Sequence, residues 1–237
     1  MAEKLKGIFI TGTDTGIGKT LVAAGLIKAL QKQGMDPGYF KPVASGALKT
    51  RQGLLSPDVQ FVIKTTGLKD PSSLINPVCL IPPLAPITAA EISRTDWTLK
   101  AVFQNLRTLQ RRHSFMVVEG VGGLMVPLKK RFLVLDLMIK TGLPVLVVAR
   151  ASLGTINHTL MTLTLLKQKG LPVLGFLFNG LKGRPGLAEQ TAPQVISDSS
   201  GVPFWGNLPF DAQVSESHSQ LGSIPKGIEK MVARFLF

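Results

Sequence analysis

Six short apolar runs, at residues 7–11, 38–40, 115–119, 145–149, 173–178 and 204–207, alternate with longer stretches that can hold helices. Strands separated by helices are joined by crossovers rather than hairpins, so they run parallel, and a parallel sheet needs helices on both faces. The expected fold is therefore α/β, a mainly parallel central sheet with helices on both faces, in one domain over residues 1–237. Helices are expected over 20–33, closed by Gly34, over 99–112 with Val102, Leu106 and Leu109 on one side, and over 154–169. The segment 76–89 carries Pro77, Pro82, Pro83 and Pro86 and reads as an extended lid or connection. With 45% hydrophobic and 17% charged residues, the chain has the apolar surface to bury such a core. In open sheets of this kind ligands bind beyond the carboxyl ends of the strands, so the loops there should carry the chemistry.

The loop after the first run is Gly12-Thr13-Asp14-Thr15-Gly16-Ile17-Gly18-Lys19-Thr20, and it opens directly into a helix. Glycines bring backbone N–H groups close to a phosphate and the helix N-terminus adds a favourable dipole. Lys19 offsets β- and γ-phosphate charge, and the Thr20 hydroxyl can ligate Mg2+. The arrangement is P-loop NTPase-like, with Thr13 where the strict pattern has glycine and Gly12 one residue early. A nucleotide site is thus expected at Gly16, Ile17, Gly18, Lys19 and Thr20. What is done with the nucleotide must come from other segments.

The second run ends in Lys41-Pro42-Val43-Ala44-Ser45-Gly46. Lys41 there either holds an anion beside the γ-phosphate or is a surface lysine before a turn. Residues 115–118 lead into Glu119-Gly120-Val121-Gly122-Gly123. A carboxylate ending an apolar strand is costly unless paired, and its hard oxygens suit Mg2+. Asp58, in Ser56-Pro57-Asp58, reads as a metal ligand or a helix cap, and the two roles are compatible.

In order and spacing, the segments GTDTGIGKT, KPVASG, SPD, VEGVGG, LGTINH, the Asn179-Gly180 pair and GNLP resemble the dethiobiotin synthetase family, from residue 7 to about residue 210. The resemblance implies an ATP-dependent ligase of biotin biosynthesis. It would close the ureido ring of dethiobiotin from 7,8-diaminopelargonic acid and CO2 or bicarbonate, with release of ADP and phosphate. It further implies that Lys19 and residues 16–18 hold the phosphates, that Thr20, Asp58 and Glu119 surround Mg2+, and that Lys41 and Lys19 serve catalysis. Thr15, Lys41 and Ser45 match positions that receive the diamine and its carbamate. Asn157 matches a residue that reaches a neighbouring subunit's substrate, which implies a homodimer with shared active sites. Asn179, Leu208 and Pro209 would hold the adenine. Ile87 follows Pro86 where many members have histidine, and Gly180 follows Asn179 where an acidic residue is usual.

The remaining residues carry blander expectations. A formal net charge of +13 favours anionic partners of any kind. The basic residues, among them Lys28, Lys64, Arg107, Lys129, Arg131 and Lys167, fall in different elements without interleaved aromatics, so neither a nucleic-acid nor a membrane partner is expected. Cys79, the single cysteine, allows no intramolecular disulfide, fits a reducing cytoplasm and reads as a small buried hydrophobe. The run at 7–10 is too brief for a signal-peptide core, and no apolar stretch approaches the roughly 18 residues of a spanning helix. Met35, Met116, Met125, Met138 and Met161 read as core filler, His113 and His218 as surface residues, His158 as a packing or hydrogen-bonding residue, and Asp136 as a partner for loop backbone. Two rival classes share the expected fold. Partition or septum-positioning switch ATPases carry a second lysine early in the loop, where this chain has Asp14. A cobalamin-pathway amidoligase would need an attached glutaminase domain, for which the chain ends too soon.

Overall fold

The structure, a computed structural model, describes residues 5–51, 53–215 and 219–235. His218 lies outside them. Among the described residues the centre is a six-stranded sheet, here β1 (Gly7–Gly12), β2 (Pro37–Phe40), β3 (Phe115–Glu119), β4 (Val145–Arg150), β5 (Val173–Leu181) and β6 (Phe204–Pro209). All neighbours are parallel, in the order β6-β5-β4-β1-β3-β2. Each expected strand is present. The chain leaves β1 towards one edge, returns through β3, and then builds the other half from β4 outward. That reversal at β1 opens a crevice at the carboxyl ends of β1 and β3.

Alternation along the strands divides the interior into two cores. Ile8 and Ile10 of β1, Tyr39 of β2, and Phe115 and Val117 of β3 face α1 (Lys19–Lys32), α2 (Pro57–Thr66), α3 (Ser72–Ile75) and the later helix Ile224–Phe235. Phe9, Phe40, Met116 and Val118 face the opposite core. That core is completed by α4 (Pro86–Ile92), α5 (Leu99–Arg112), α6 (Val134–Thr141), α7 (Thr155–Gln168) and α8 (Leu187–Ser200). Ile224–Phe235 is α9. It lies against α1, where Gly25 permits a close approach: a Cβ there would come within 2.6 Å of Ile228 Cδ1. Lys32 and Glu229 close the same interface with a 2.7 Å ion pair.

Several expectations need correction. The segment 76–89 is not irregular throughout: Val78–Leu80 pairs in parallel with Val43–Ser45, and Pro86 begins α4. Proline suits the first helical turn because the N–H it lacks has no partner there, so Pro86 starts an element rather than breaking one. Met125 and Met161 are 62% and 57% exposed, whereas Met116 and Met138 are buried. Cys79 is only half-buried. His113 is no surface residue: its ring sits between Asp36 and Asp70 at 3.1 and 2.7 Å, with its side chain 12% exposed. Asp136 accepts from the Leu133 backbone N–H at 2.8 Å, the role expected of it.

Candidate active site

The glycine loop between β1 and α1 is held by its own close approaches. Gly18 is left-handed at φ 87°, and a Cβ on it would lie 2.0 Å from the Asn179 amide nitrogen. That nitrogen donates to the Ile17 carbonyl at 2.8 Å, tying the end of β5 to the loop. Lys19 is 7% exposed, and its ammonium donates to the Asp14 carbonyl at 2.9 Å. Burial lowers its pKa to about 8, with nearby Lys41 adding to the effect and Glu119, Asp58 and Asp14 opposing it.

Glu119 is the centre of the constellation. It ends β3 on the face of α1, is 1% exposed, and accepts three hydrogen bonds. Thr20 Oγ1 and Lys41 Nζ donate to Oε1, each at 2.7 Å, and the Tyr39 hydroxyl donates to Oε2 at 2.6 Å. Lys41 Nζ also donates to Asp58 Oδ2. Burial alone would lower the Lys41 pKa, but the charges of Glu119 and Asp58 outweigh it and the net shift is upward. The Lys41 backbone is fixed as well, since the buried Asn76 side chain donates to its carbonyl at 2.7 Å. The surface-lysine reading of Lys41 is therefore excluded. Ser56, not Asp58, caps α2 with its hydroxyl, which leaves the Asp58 carboxylate to turn towards Lys41.

These groups open on a cleft of about 600 Å³. Its lining includes Thr15, Gly16, Ile17, Gly18, Lys19, Thr20, Lys41, Ser45, Asp58, Glu119 and Asn179, all of them expected from the sequence. Three expected residues do not line it. Leu208 is wholly buried beside α9, main chain included, and Pro209 is exposed beyond it at the end of β6. Asn157 is exposed on the first turn of α7. Reading the sequence missed Arg150, Lys182 and Tyr39. Arg150 and Lys182 line the cleft at the ends of β4 and β5, where Arg150 reaches Asp14 at 3.5 Å and Lys182 lies 5.3 Å from the ring centroid of Phe210. Their places after strands were the available signal. Tyr39 carried another: a tyrosine inside an apolar strand needs a partner for its hydroxyl.

The donors fit Mg2+. Glu119, Asp58 and Thr20 offer hard oxygens, and Thr20 Oγ1 and Glu119 Oε1 lie 2.7 Å apart. An octahedron with Mg–O distances of 2.0–2.1 Å has edges of about 2.9 Å. No cluster of three or more His, Cys, Asp or Glu suited to a metal occurs among the described residues. The protein ligands would thus be completed by phosphate and water oxygens, the mixed coordination that Mg2+ favours.

A glycine loop between strand and helix, a buried lysine and threonine at the helix start, and a strand-end carboxylate define a P-loop nucleotide-binding protein. The family described as an AAA domain matches residues 6–218. The chain is 38% identical to the ATP-dependent dethiobiotin synthetase BioD of Thermodesulfovibrio yellowstonii, over 89% of this chain and 91% of that one. With the proteins of the same name from Bacillus licheniformis and Anaeromyxobacter dehalogenans the identities are 40% and 42%, covering 92% and 93% of this chain and 92% and 97% of theirs. The chain belongs to the dethiobiotin synthetase family. Solved structures share its fold: the MinC:MinD cell division complex of Aquifex aeolicus gives a TM-score of 0.62 at 11% identity, covering 97% of this chain and 95% of that one. A ParA family ATPase from Chlorobium tepidum gives 0.54 at 17%, covering 98% and 96%.

Proposed function

We propose that the chain is an ATP-dependent dethiobiotin synthetase that converts 7,8-diaminopelargonic acid and CO2 to dethiobiotin with release of ADP and phosphate. The observation that carries this reading is Lys41, a buried ammonium aimed at Asp58 and Glu119 beside the P-loop in a chain of this family. One amine takes up CO2 as a carbamate, the carbamate oxygen attacks the γ-phosphorus of ATP, and ADP leaves. The second amine then attacks the carbamoyl carbon, and phosphate departs as the ring closes. A carbamate is a poor electrophile, so phosphorylation supplies the leaving group and the protein supplies position and charge.

In this reading Lys19 and the backbone of Gly16, Ile17 and Gly18 hold the β- and γ-phosphates, while Lys41, Thr15 and Ser45 receive the carbamate and diamine. Thr20, Asp58 and Glu119 would hold Mg2+, which would supply positive charge against the charge developing on the transferred phosphoryl group. Asn179 keeps its Oδ1 for the base, with the exposed Pro209 at the end of β6 the further contact on offer in place of the buried Leu208. No helix among the described residues is long and apolar enough to cross a membrane, and cytoplasmic work on polar metabolites suits the lone thiol of Cys79. The switch-ATPase alternative is supported by the fold alone. ADP release that depends on both diaminopelargonic acid and bicarbonate supports the synthetase; release indifferent to the diamine would refute it.

Glu119→Gln keeps the side chain's shape and removes its charge. The Mg2+ concentration for half-maximal rate should rise by about tenfold or more. An unchanged Mg2+ titration would make Glu119 a purely structural residue.

The homodimer reading is supported by the surface around Asn157, where Leu153 is 88% and Met161 57% exposed on and beside the first two turns of α7. Mixing an Asn157→Ala chain with a Lys19→Ala chain gives dimers in which one site gathers both defects and the other is intact. Activity should return on mixing. Exchanging dimers that stay inactive would place Asn157 outside the partner's site.

A further inference from the structure

Tyr39 is wholly buried, and its hydroxyl finds one partner among the described residues, Glu119 Oε2 at 2.6 Å. The strand register makes this bond. Tyr39 pairs with Val117 across β2 and β3, and Glu119 stands two residues further along the same face, within reach of an aromatic side chain. Ile8, Ile10 and Phe115 share the core around the ring, so it has no second place to put its hydroxyl. A buried phenol without an acceptor is costly, which holds the bond closed. The two oxygens of Glu119 thereby acquire different duties: Oε1 meets Thr20 and Lys41 at the cleft, while Oε2 is taken from behind.

We infer that Tyr39 is a positioning residue that sets the metal preference of the site, by leaving a divalent cation a single oxygen of Glu119 and so favouring Mg2+ over Ca2+. The inference rests on Glu119 being a metal ligand, as proposed above. Mg2+ takes single oxygens in a tight octahedron, whereas Ca2+ accepts six to eight oxygens at longer distances and gains from carboxylates that bind through both. The Tyr39 bond turns Oε2 towards the core and away from the cleft, so that Oε1 is the oxygen presented to a cation there. Asp58 is held differently, since its side chain is 45% exposed and Lys41 meets its Oδ2 from the cleft side. Partners of this kind, one bond behind a ligand, orient it and tune the metal it holds.

The experiment measures ADP affinity by calorimetry in EDTA, in Mg2+ and in Ca2+, for the wild type and Tyr39→Phe, with no turnover to confuse the readout. The wild type should bind Mg·ADP more tightly than Ca·ADP. In Tyr39→Phe that gap should narrow by about tenfold, within the range that such partners command, while ADP affinity in EDTA stays unchanged. A merely structural role would weaken both complexes equally. Equal weakening, an unchanged gap in a folded variant, or a wild type that does not distinguish the two metals would each overturn the inference. Glu119→Gln separates the metal assignment from the role of its neighbour. If it leaves the affinity gained from Mg2+ unaltered, the ligand assignment itself fails; if it abolishes that gain while Tyr39→Phe leaves the gap intact, only the role of Tyr39 fails.

Discussion

Lys19→Ala is expected to lower kcat by about a thousandfold or more, on the order of 4 kcal/mol, the scale of losing a preorganised charge from a transition state. The fold should survive. Lys19 is an ammonium held out of water, and burial is the largest influence on it. Lys19→Met, which keeps most of the side chain's volume, should therefore melt no lower than the wild type near neutral pH while remaining inactive. Near-normal ADP release from folded Lys19→Ala protein would remove the phosphate-loop assignment. The sign of the pH dependence follows from the same group. Its folded pKa of about 8 lies below the ordinary 10.5, so between these values the unfolded chain holds more protons, and this residue's contribution to stability rises with pH. Phosphates favour the charged form. Around pH 9, then, ATP binding should take up a proton, a difference readable by calorimetry in buffers of unlike ionisation enthalpy.

Lys41→Ala is expected to cost about 2 to 4 kcal/mol in kcat/KM for the diamine, the scale of removing a charged donor from beside a group held away from water. The structure adds a second effect. Lys41 pairs with Glu119, whose side chain is 1% exposed, so its removal leaves a buried carboxylate without its ammonium. Breaking such a pair from one side typically costs about 3 to 5 kcal/mol, with the half-exposed Asp58 able to recover part of its loss from water. The nucleotide-free variant should therefore melt well below the wild type and regain stability when Mg·ADP is added. Lys41→Arg should also fail, since a planar fork does not fit where one compact ammonium meets two carboxylates. ADP affinity in EDTA should barely change. If Lys41→Ala instead weakened metal-free ADP and spared diamine kinetics, the lysine would belong to the nucleotide, and the synthetase reading would lose its main chemical support.

Local sequence carried the sheet and the phosphate loop because both are written in contiguous residues. An apolar run, three glycines and Lys19-Thr20 need no distant partner to be recognised. Glu119 was visible for a similar reason, as a charge closing an apolar strand. Tyr39 was not: its importance lies in a strand register that joins positions 80 residues apart, and nothing around residue 39 announces that Glu119 will stand diagonally opposite. His113 was misread in the same way, because Asp36 and Asp70 come to it from two other loops. The prolines of 76–89 misled through local rules applied without position, since Pro86 at a helix start and Pro82 in a turn obey different constraints. Lys41 left two readings open until the fold supplied Asp58 and Glu119.

The packing of α9 on α1 makes the nucleotide site late to mature. Lys19 and Thr20 ride on the first helix of the chain, yet its outer face is covered by Ile224 and Ile228 and tied down by an ion pair spanning 197 residues. During synthesis that helix must wait, with an apolar flank uncovered, until residues 224–229 have been made. Pairings of such separation slow folding and lengthen the exposure of sticky surface. A ribosome-bound nascent chain stalled before residue 224 should thus be a client for chaperones and a poor binder of ATP, though every residue of its phosphate loop is already present.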